Sequence, residues 1–97
     1  MAYRYVFTPQ CKDDLDDLTR RQHPLLMRIV VEVIPRILQD PHAVSERKSG
    51  KLKDCYGFVL SAAGAGLRLV YTIRGDTVAF IAVGRHDLVY KVAAQRI

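Results

Sequence analysis

The amino-acid sequence predicts an α+β fold: an N-terminal strand, then an antiparallel two-helix hairpin packed on one face of a small antiparallel β-sheet, then a short C-terminal helix or arm. Three observations carry this expectation. Apolar residues recur at helical spacing between residues 9 and 40, they recur at strand spacing between residues 56 and 84, and a chain of 97 residues holds one modest core. With 49% apolar and 26% charged residues the composition is globular, and 1–97 reads as a single domain. No apolar run approaches the ~18 residues of a membrane span, because Arg28, Glu32, Arg36, Arg74 and Asp76 interrupt the longest stretches. The opening MAYRYVFTP has neither an apolar signal core nor a small-residue cleavage site, so a cytosolic chain with no membrane partner is expected. In that compartment Cys11 and Cys55 are free thiols.

The elements follow in order. Ala2 to Phe7 alternates aromatic or apolar residues with others and reads as a strand. Thr8 is a good N-cap and Pro9 suits the first helical position. Cys11, Leu15 and Leu18 then form one apolar stripe on a helix running to about Arg21. A second helix begins near Pro24, with Leu26, Val30, Val33, Ile34, Ile37 and Leu38 as its apolar face, and stops by Asp40-Pro41. Pro35 lacks an N–H and clashes with the carbonyl four residues earlier, which predicts a kink or break near residues 31–35. His42 to Gly50 is polar and reads as a loop. From Tyr56 the period becomes two: Tyr56–Ser61, a small-residue link through Gly66, Leu67–Arg74, a turn at Gly75-Asp76, and Thr77–Gly84. The last of these strands is apolar on both faces and reads as central, and Val89–Ile97 reads as the closing helix or arm.

The net charge of +5 lies wholly in residues 48–97, which hold eight basic and three acidic side chains. That asymmetry is the pattern of a polyanion binder. On the middle strand Leu67, Leu69, Tyr71 and Ile73 point one way and Arg68, Val70 and Thr72 the other, so Arg68 faces away from the helix-covered core. The same face and its rim are expected to hold Arg85, His86 and Tyr90, with Lys48, Lys51 and Lys53 arriving from the loop. Cleaving RNA without a metal needs a base for the 2′-hydroxyl, cations on the phosphate and an acid for the 5′-oxygen, and Arg, His and Tyr meet those needs. Arg68 is the natural phosphate clamp, His86 can serve as acid or base, and Tyr90 can orient the sugar or stack on a base. The carboxylates of Asp13, Asp14, Asp16 and Asp17 read as a solvated helix face. Tyr56 and Phe58 read as sheet packing before base stacking. The three histidines and two cysteines have no metal-ligand spacing, and no cofactor is implied.

Three blocks of residues resemble a known family: Gly50-Lys51-Leu52-Lys53-Asp54-Cys55-Tyr56, Gly66-Leu67-Arg68-Leu69-Val70-Tyr71, and Ala82-Val83-Gly84-Arg85-His86-Asp87 with Val89-Tyr90. In this combination, and in the order of elements along essentially the whole chain, the sequence resembles the RelE/ParE superfamily of bacterial toxins from type II toxin–antitoxin modules. The tyrosine followed by Lys91 makes the RelE branch the closer likeness. The resemblance implies a cytoplasmic toxin, bacterial or archaeal, that enters the ribosomal A site and cuts mRNA there as a metal-independent endoribonuclease. It implies a cognate antitoxin that holds the toxin inactive and brings the pair to operator DNA. It carries catalytic roles to Arg68, to either Arg85 or His86, and to Tyr90, and RNA contacts to Lys48, Lys51, Lys53 and Lys91. One departure stands out: ribosome-dependent members carry two lysines on the strand after Cys55-Tyr56, where this chain has Gly57 and Val59. The alternatives are a ParE-like inhibitor of DNA gyrase, or a weakly catalytic or non-toxic member that acts in an antitoxin-bound operator complex.

Overall fold

The computed structural model describes residues 3–21, 23–48, 50–60 and 66–97, with the side chains of residues 19, 21, 23, 25 and 26 outside the description. Strand β1 (Arg4–Phe7) leads into α1 (Pro9–Arg21). The Thr8 hydroxyl accepts from the Cys11 N–H at 3.2 Å and the Thr8 carbonyl from the Lys12 N–H at 3.0 Å, which is the predicted N-cap. The second helical segment is α2 (His23–Arg28), a π-helical turn (Ile29–Val33) and α3 (Ile34–Gln39). The π turn is the structure's answer to Pro35. One wider turn absorbs the missing donor and the ring, and the Ile34 N–H returns to the Ile29 carbonyl. It also changes which side chains face inward: Ile29, Val33, Ile34 and Ile37 are buried, whereas Val30, expected inside, is 46% exposed. The expected contribution of Leu26 lies outside the described side chains.

The remainder is β2 (Glu46–Arg47), a single 3-10 turn (Gly50–Leu52), β3 (Cys55–Leu60), β4 (Leu67–Arg74), β5 (Thr77–Arg85) and α4 (His86–Arg96). The five strands are ordered β1-β5-β4-β3-β2, with β1 parallel to β5 and every other pair antiparallel. Strand β5 is thus interior, as its two-sided apolar pattern predicts. The turn between β4 and β5 has Gly75 at φ 59°, where glycine avoids the cost of the left-handed region. The link at residues 61–65 and Ala2, the first residue of the expected N-terminal strand, lie outside the described residues, and the strand itself begins at Arg4.

Strand β2 corrects the reading of residues 42–50 as a loop. Two charged residues give no alternation to detect, yet they pair with β3, Glu46 opposite Gly57 and Arg47 opposite Tyr56. The approach to β2 is pinned by Tyr71, whose hydroxyl donates to the Pro41 carbonyl at 2.6 Å and lies 2.7 Å from the Ser45 hydroxyl. Burial pushes the Tyr71 hydroxyl from 10.0 up to about 12, so it stays a donor at any ordinary pH.

The two sheet faces carry different cores. On one, Cys11, Leu15 and the inward residues of α2–α3 cover Tyr56, Phe58, Leu69, Tyr71 and Phe80. Tyr56 and Tyr71 stack at 5.5 Å between centroids, so Tyr56 and Phe58 are packing residues. On the other, α4 lays Val89 and Ala93 over Cys55, Val70, Ile81 and Ala82. A β-bulge between Val70 and Tyr71 skips Ile81 in the pairing, so that Ile81 and Ala82 both join the core under α4 while Phe80 and Val83 join the other.

Asp14 corrects the reading of the α1 carboxylates as wholly solvated. It takes a bidentate pair from Arg96 at 2.7 and 3.1 Å and also accepts from the Val83 N–H at 3.3 Å. Arg96 donates in addition to the Ile81 carbonyl at 2.7 Å, tying the end of α4 to α1 and β5.

Candidate functional site

Strand register builds the site. Directly paired residues of an antiparallel sheet share a face, so the row Glu46–Gly57–Val70–Ala82 crosses β2, β3, β4 and β5 on the side covered by α4. The next row toward the start of β4 is Val59–Arg68–Gly84. Arg68 is half-buried there, between a half-exposed valine and a glycine, and its Nη1 donates to its own Leu67 carbonyl at 3.1 Å. Among the described residues no carboxylate pairs with it, which leaves most of the guanidinium fork directed at whatever occupies this face.

Helix α4 supplies the other side. The His86 N–H donates to the Gly66 carbonyl at 2.8 Å, which fixes the first turn of the helix beside the start of β4, two residues from Arg68. One turn on, Tyr90 meets the His86 ring edge-on, centroids 5.6 Å apart. The Tyr90 side chain then reaches across to β3. A Cβ on Gly57 would overlap the Tyr90 hydroxyl and stand 3.1 Å from its Cε1, so a bare backbone at 57 is what admits the ring. The bare backbone at Gly57 and the seating of Tyr90 are one feature.

Lys48 completes the group from β2. Its N–H donates to the Cys55 carbonyl at 2.9 Å, extending the β2–β3 ladder, and its Nζ lies 4.3 Å from the centre of the Tyr90 ring and 3.5 Å from Glu46 Oε1. Glu46 is the member of the site that sequence reasoning missed. The signal was there in weak form: Glu46-Arg47-Lys48 is the run of charges that blunts a short edge strand.

The structure does not bring Arg85 into this group. It stands opposite Leu67, whose side chain belongs to the α1–α3 core, so the Arg85 side chain leaves on that side and pairs with Asp87 at 3.6 Å. Of the two residues left open by the sequence, His86 is the one beside Tyr90. Lys51 and Lys53 are exposed on either side of Leu52, which packs on the α4 cluster, and Lys91 is exposed on α4 itself. These three sit at the margin of the group. Both thiols are free and buried. Burial first, and Asp14 second, push the Cys11 thiol from 9.0 up to about 12, and burial also raises Cys55, so neither is a reactive nucleophile.

No protein-family model and no curated protein matches the sequence. Solved structures do. A double mutant of the Escherichia coli toxin RelE in the free state is 26% identical, with 100% of this chain and 99% of that one covered and a TM-score of 0.72. A YoeB/ParE toxin from Agrobacterium tumefaciens is 20% identical over 86% of this chain and 98% of its own, also at a TM-score of 0.72. The toxin in the intact E. coli RelBE toxin–antitoxin complex is 24% identical over 87% and 96%, with a TM-score of 0.61. The architecture is the RelE-like α+β toxin fold. The chain belongs to the RelE/ParE superfamily of toxins, and equal fold likeness to RelE and YoeB/ParE structures does not separate the branches.

Proposed function

We propose that the protein is the toxin of a toxin–antitoxin module and that it cuts mRNA on the ribosome without a metal ion, stopping translation. The observation that carries this reading is the convergence of Arg68, His86, Tyr90 and Lys48 on one basic face. The 2′-oxygen of the substrate bonds to the adjacent phosphorus as its proton passes to a base. The bond from phosphorus to the 5′-oxygen breaks, and that oxygen takes a proton from His86, leaving a 2′,3′-cyclic phosphate. Arg68 holds the phosphate oxygens as charge builds, and Tyr90 orients or stacks on the nucleotide. Lys51, Lys53 and Lys91 contact flanking phosphates, and Arg85 does so from the rim.

The similarity to a toxin solved with its antitoxin supports a cognate antitoxin here as well, with operator DNA reached through that complex. The reading also places the protein in the cytoplasm. The test is mapping of mRNA 5′ ends in a bacterial cell-free translation reaction, with ribosome-free mRNA as control. New ends within codons only when ribosomes are present are expected, and intact mRNA from folded protein contradicts the proposal.

The bare strand at Gly57 and Val59 favours a second reading, a ParE-like gyrase inhibitor. That reading requires block of supercoiling by purified gyrase at micromolar protein.

A further inference from the structure

We infer that a notch at the stepped end of the sheet is a second binding site, for a small ligand that ends in a phosphate monoester, a nucleoside 5′-monophosphate. Strand β4 runs to Arg74, whereas β3 starts at Cys55, opposite Thr72, so β4 overhangs its neighbour by Ile73 and Arg74. The space beside the overhang is a cleft of about 530 Å³, within the roughly 300–1,000 Å³ of small-molecule sites. None of Arg68, His86 and Tyr90 lines it. The assignment stands whether or not the chain cuts RNA.

The walls carry charges that the fold leaves unused. Arg74 and Asp54 both line the cleft, and among the described residues neither makes a hydrogen bond or an ion pair. Arg47 lines it too, and only its Nε is engaged, donating to the Lys53 carbonyl at 3.1 Å across the start of β3. Register sets the two arginines on opposite faces of the sheet. Arg47 stands opposite Tyr56, on the α1–α3 side, and Arg74 lies two residues beyond Thr72, which shares the α4 side with Cys55. Two guanidinium groups thus reach the notch from its two sides. The His42 Nδ1 lies 3.1 Å from the Tyr56 hydroxyl, which holds that ring against the wall.

The backbone adds a donor. The Cys55 carbonyl accepts from the Lys48 N–H at 2.9 Å, so the peptide groups of Cys55 face β2. Alternation turns those of Tyr56 toward β4 and those of Tyr71 and Ile73 toward β3. The ladder with β3 ends at Thr72, so the Ile73 N–H opens into the notch. Two planar forks and a peptide N–H are the donor set of a phosphate site. A monoester, with its two charges, matches two cations better than the single charge of a phosphodiester within a strand. Asp54 repels the phosphate itself and suits the hydroxyls of a ribose or the amino group of a base, while the Ile73 side chain offers the base an apolar surface.

The experiment is an amide NMR titration of the full chain with each ribonucleoside 5′-monophosphate, with adenosine, and with a short single-stranded RNA that lacks terminal phosphates. It is repeated on Arg74→Ala and Arg68→Ala, each shown to be folded by its own spectrum. Saturable shifts of the Cys55, Ile73 and Arg74 amides are expected with at least one monophosphate, half-complete at about 1 mM or below. Arg74→Ala should weaken that binding about tenfold or more, and Arg68→Ala should leave it within about twofold. Adenosine should bind about tenfold more weakly or not at all. No saturable shift at these amides up to about 10 mM monophosphate overturns the assignment, and so does undiminished binding by Arg74→Ala. Binding lost in Arg68→Ala overturns it by assigning the ligand to the group around Tyr90, and tighter binding of the RNA at the same amides overturns it in favour of a strand.

Discussion

The two faces of the sheet are built on opposite rules. The face under α1–α3 is filled with large side chains, Phe58, Leu69, Tyr71 and Phe80 among them, which pack into one hydrophobic core. The face under α4 uses small ones: Cys55, Gly57, Val70, Ala82 and Gly84. Small residues let a helix lie close, and where α4 begins they leave room for Tyr90, His86, Lys48 and Arg68. Under the proposed function, stability is concentrated on one face and recognition chemistry on the other. Residues of the same strands can therefore be changed to affect one and spare the other.

The largest effect that sharpens this contrast is on the filled face. Phe80→Ala removes a fully buried ring stacked at 5.0 Å on Phe7, and is expected to cost about 3–5 kcal/mol in denaturant unfolding. Next is the tie between the faces. Arg96→Ala leaves Asp14 and the Ile81 carbonyl without their charged partner, and a loss of about 2–3 kcal/mol is expected. Hydrogen exchange should rise in α4 more than in α1–α3.

Alkaline pH tests the filled face through its ionisable groups. Cys11 goes from 9.0 to about 12 and Tyr71 from 10.0 to about 12 on folding, chiefly by burial. Both are acids that ionise more readily in the unfolded chain, so the unfolded state binds fewer protons above pH 9 and stability falls as pH rises from about 9 toward 12. A loss on the order of 2 kcal/mol between pH 8 and pH 10.5, read from urea midpoints, is expected.

The smallest stability effect belongs to the α4 face. Gly57→Ala places a methyl where the Tyr90 hydroxyl sits, and the ring can swing out to make room. About 1 kcal/mol or less is expected, with a clear change in tyrosine fluorescence and in cleavage.

Much of this was legible in the sequence, for reasons that differ by element. The strands β3 to β5 follow from period-two patterning around Gly75, and α1 from Thr8, Pro9 and the Cys11–Leu15–Leu18 stripe. Pro35 marked the irregular turn, but proline chemistry alone does not choose between a break and a π turn, and so Val30 was placed inside in error. Glu46 and Arg47 were invisible as a strand because pairing with β3 is a long-range contact with no local pattern. Asp14 was read as solvated because its partner Arg96 lies far along the chain. Arg68 could be assigned a face by alternation within its own strand. Choosing between Arg85 and His86 needed the register at the end of β5, which no local rule provides.

The most direct test of the division between faces is to measure cleavage of ribosome-bound mRNA and thermal unfolding on one preparation of Arg68→Ala beside the unaltered chain. The expected result is a fall in cleavage of about 10²-fold or more with Tm within about 2 °C, because the side chain makes no tertiary hydrogen bond or ion pair among the described residues. Unchanged cleavage would contradict the account, and so would a loss of activity matched by a collapse of Tm.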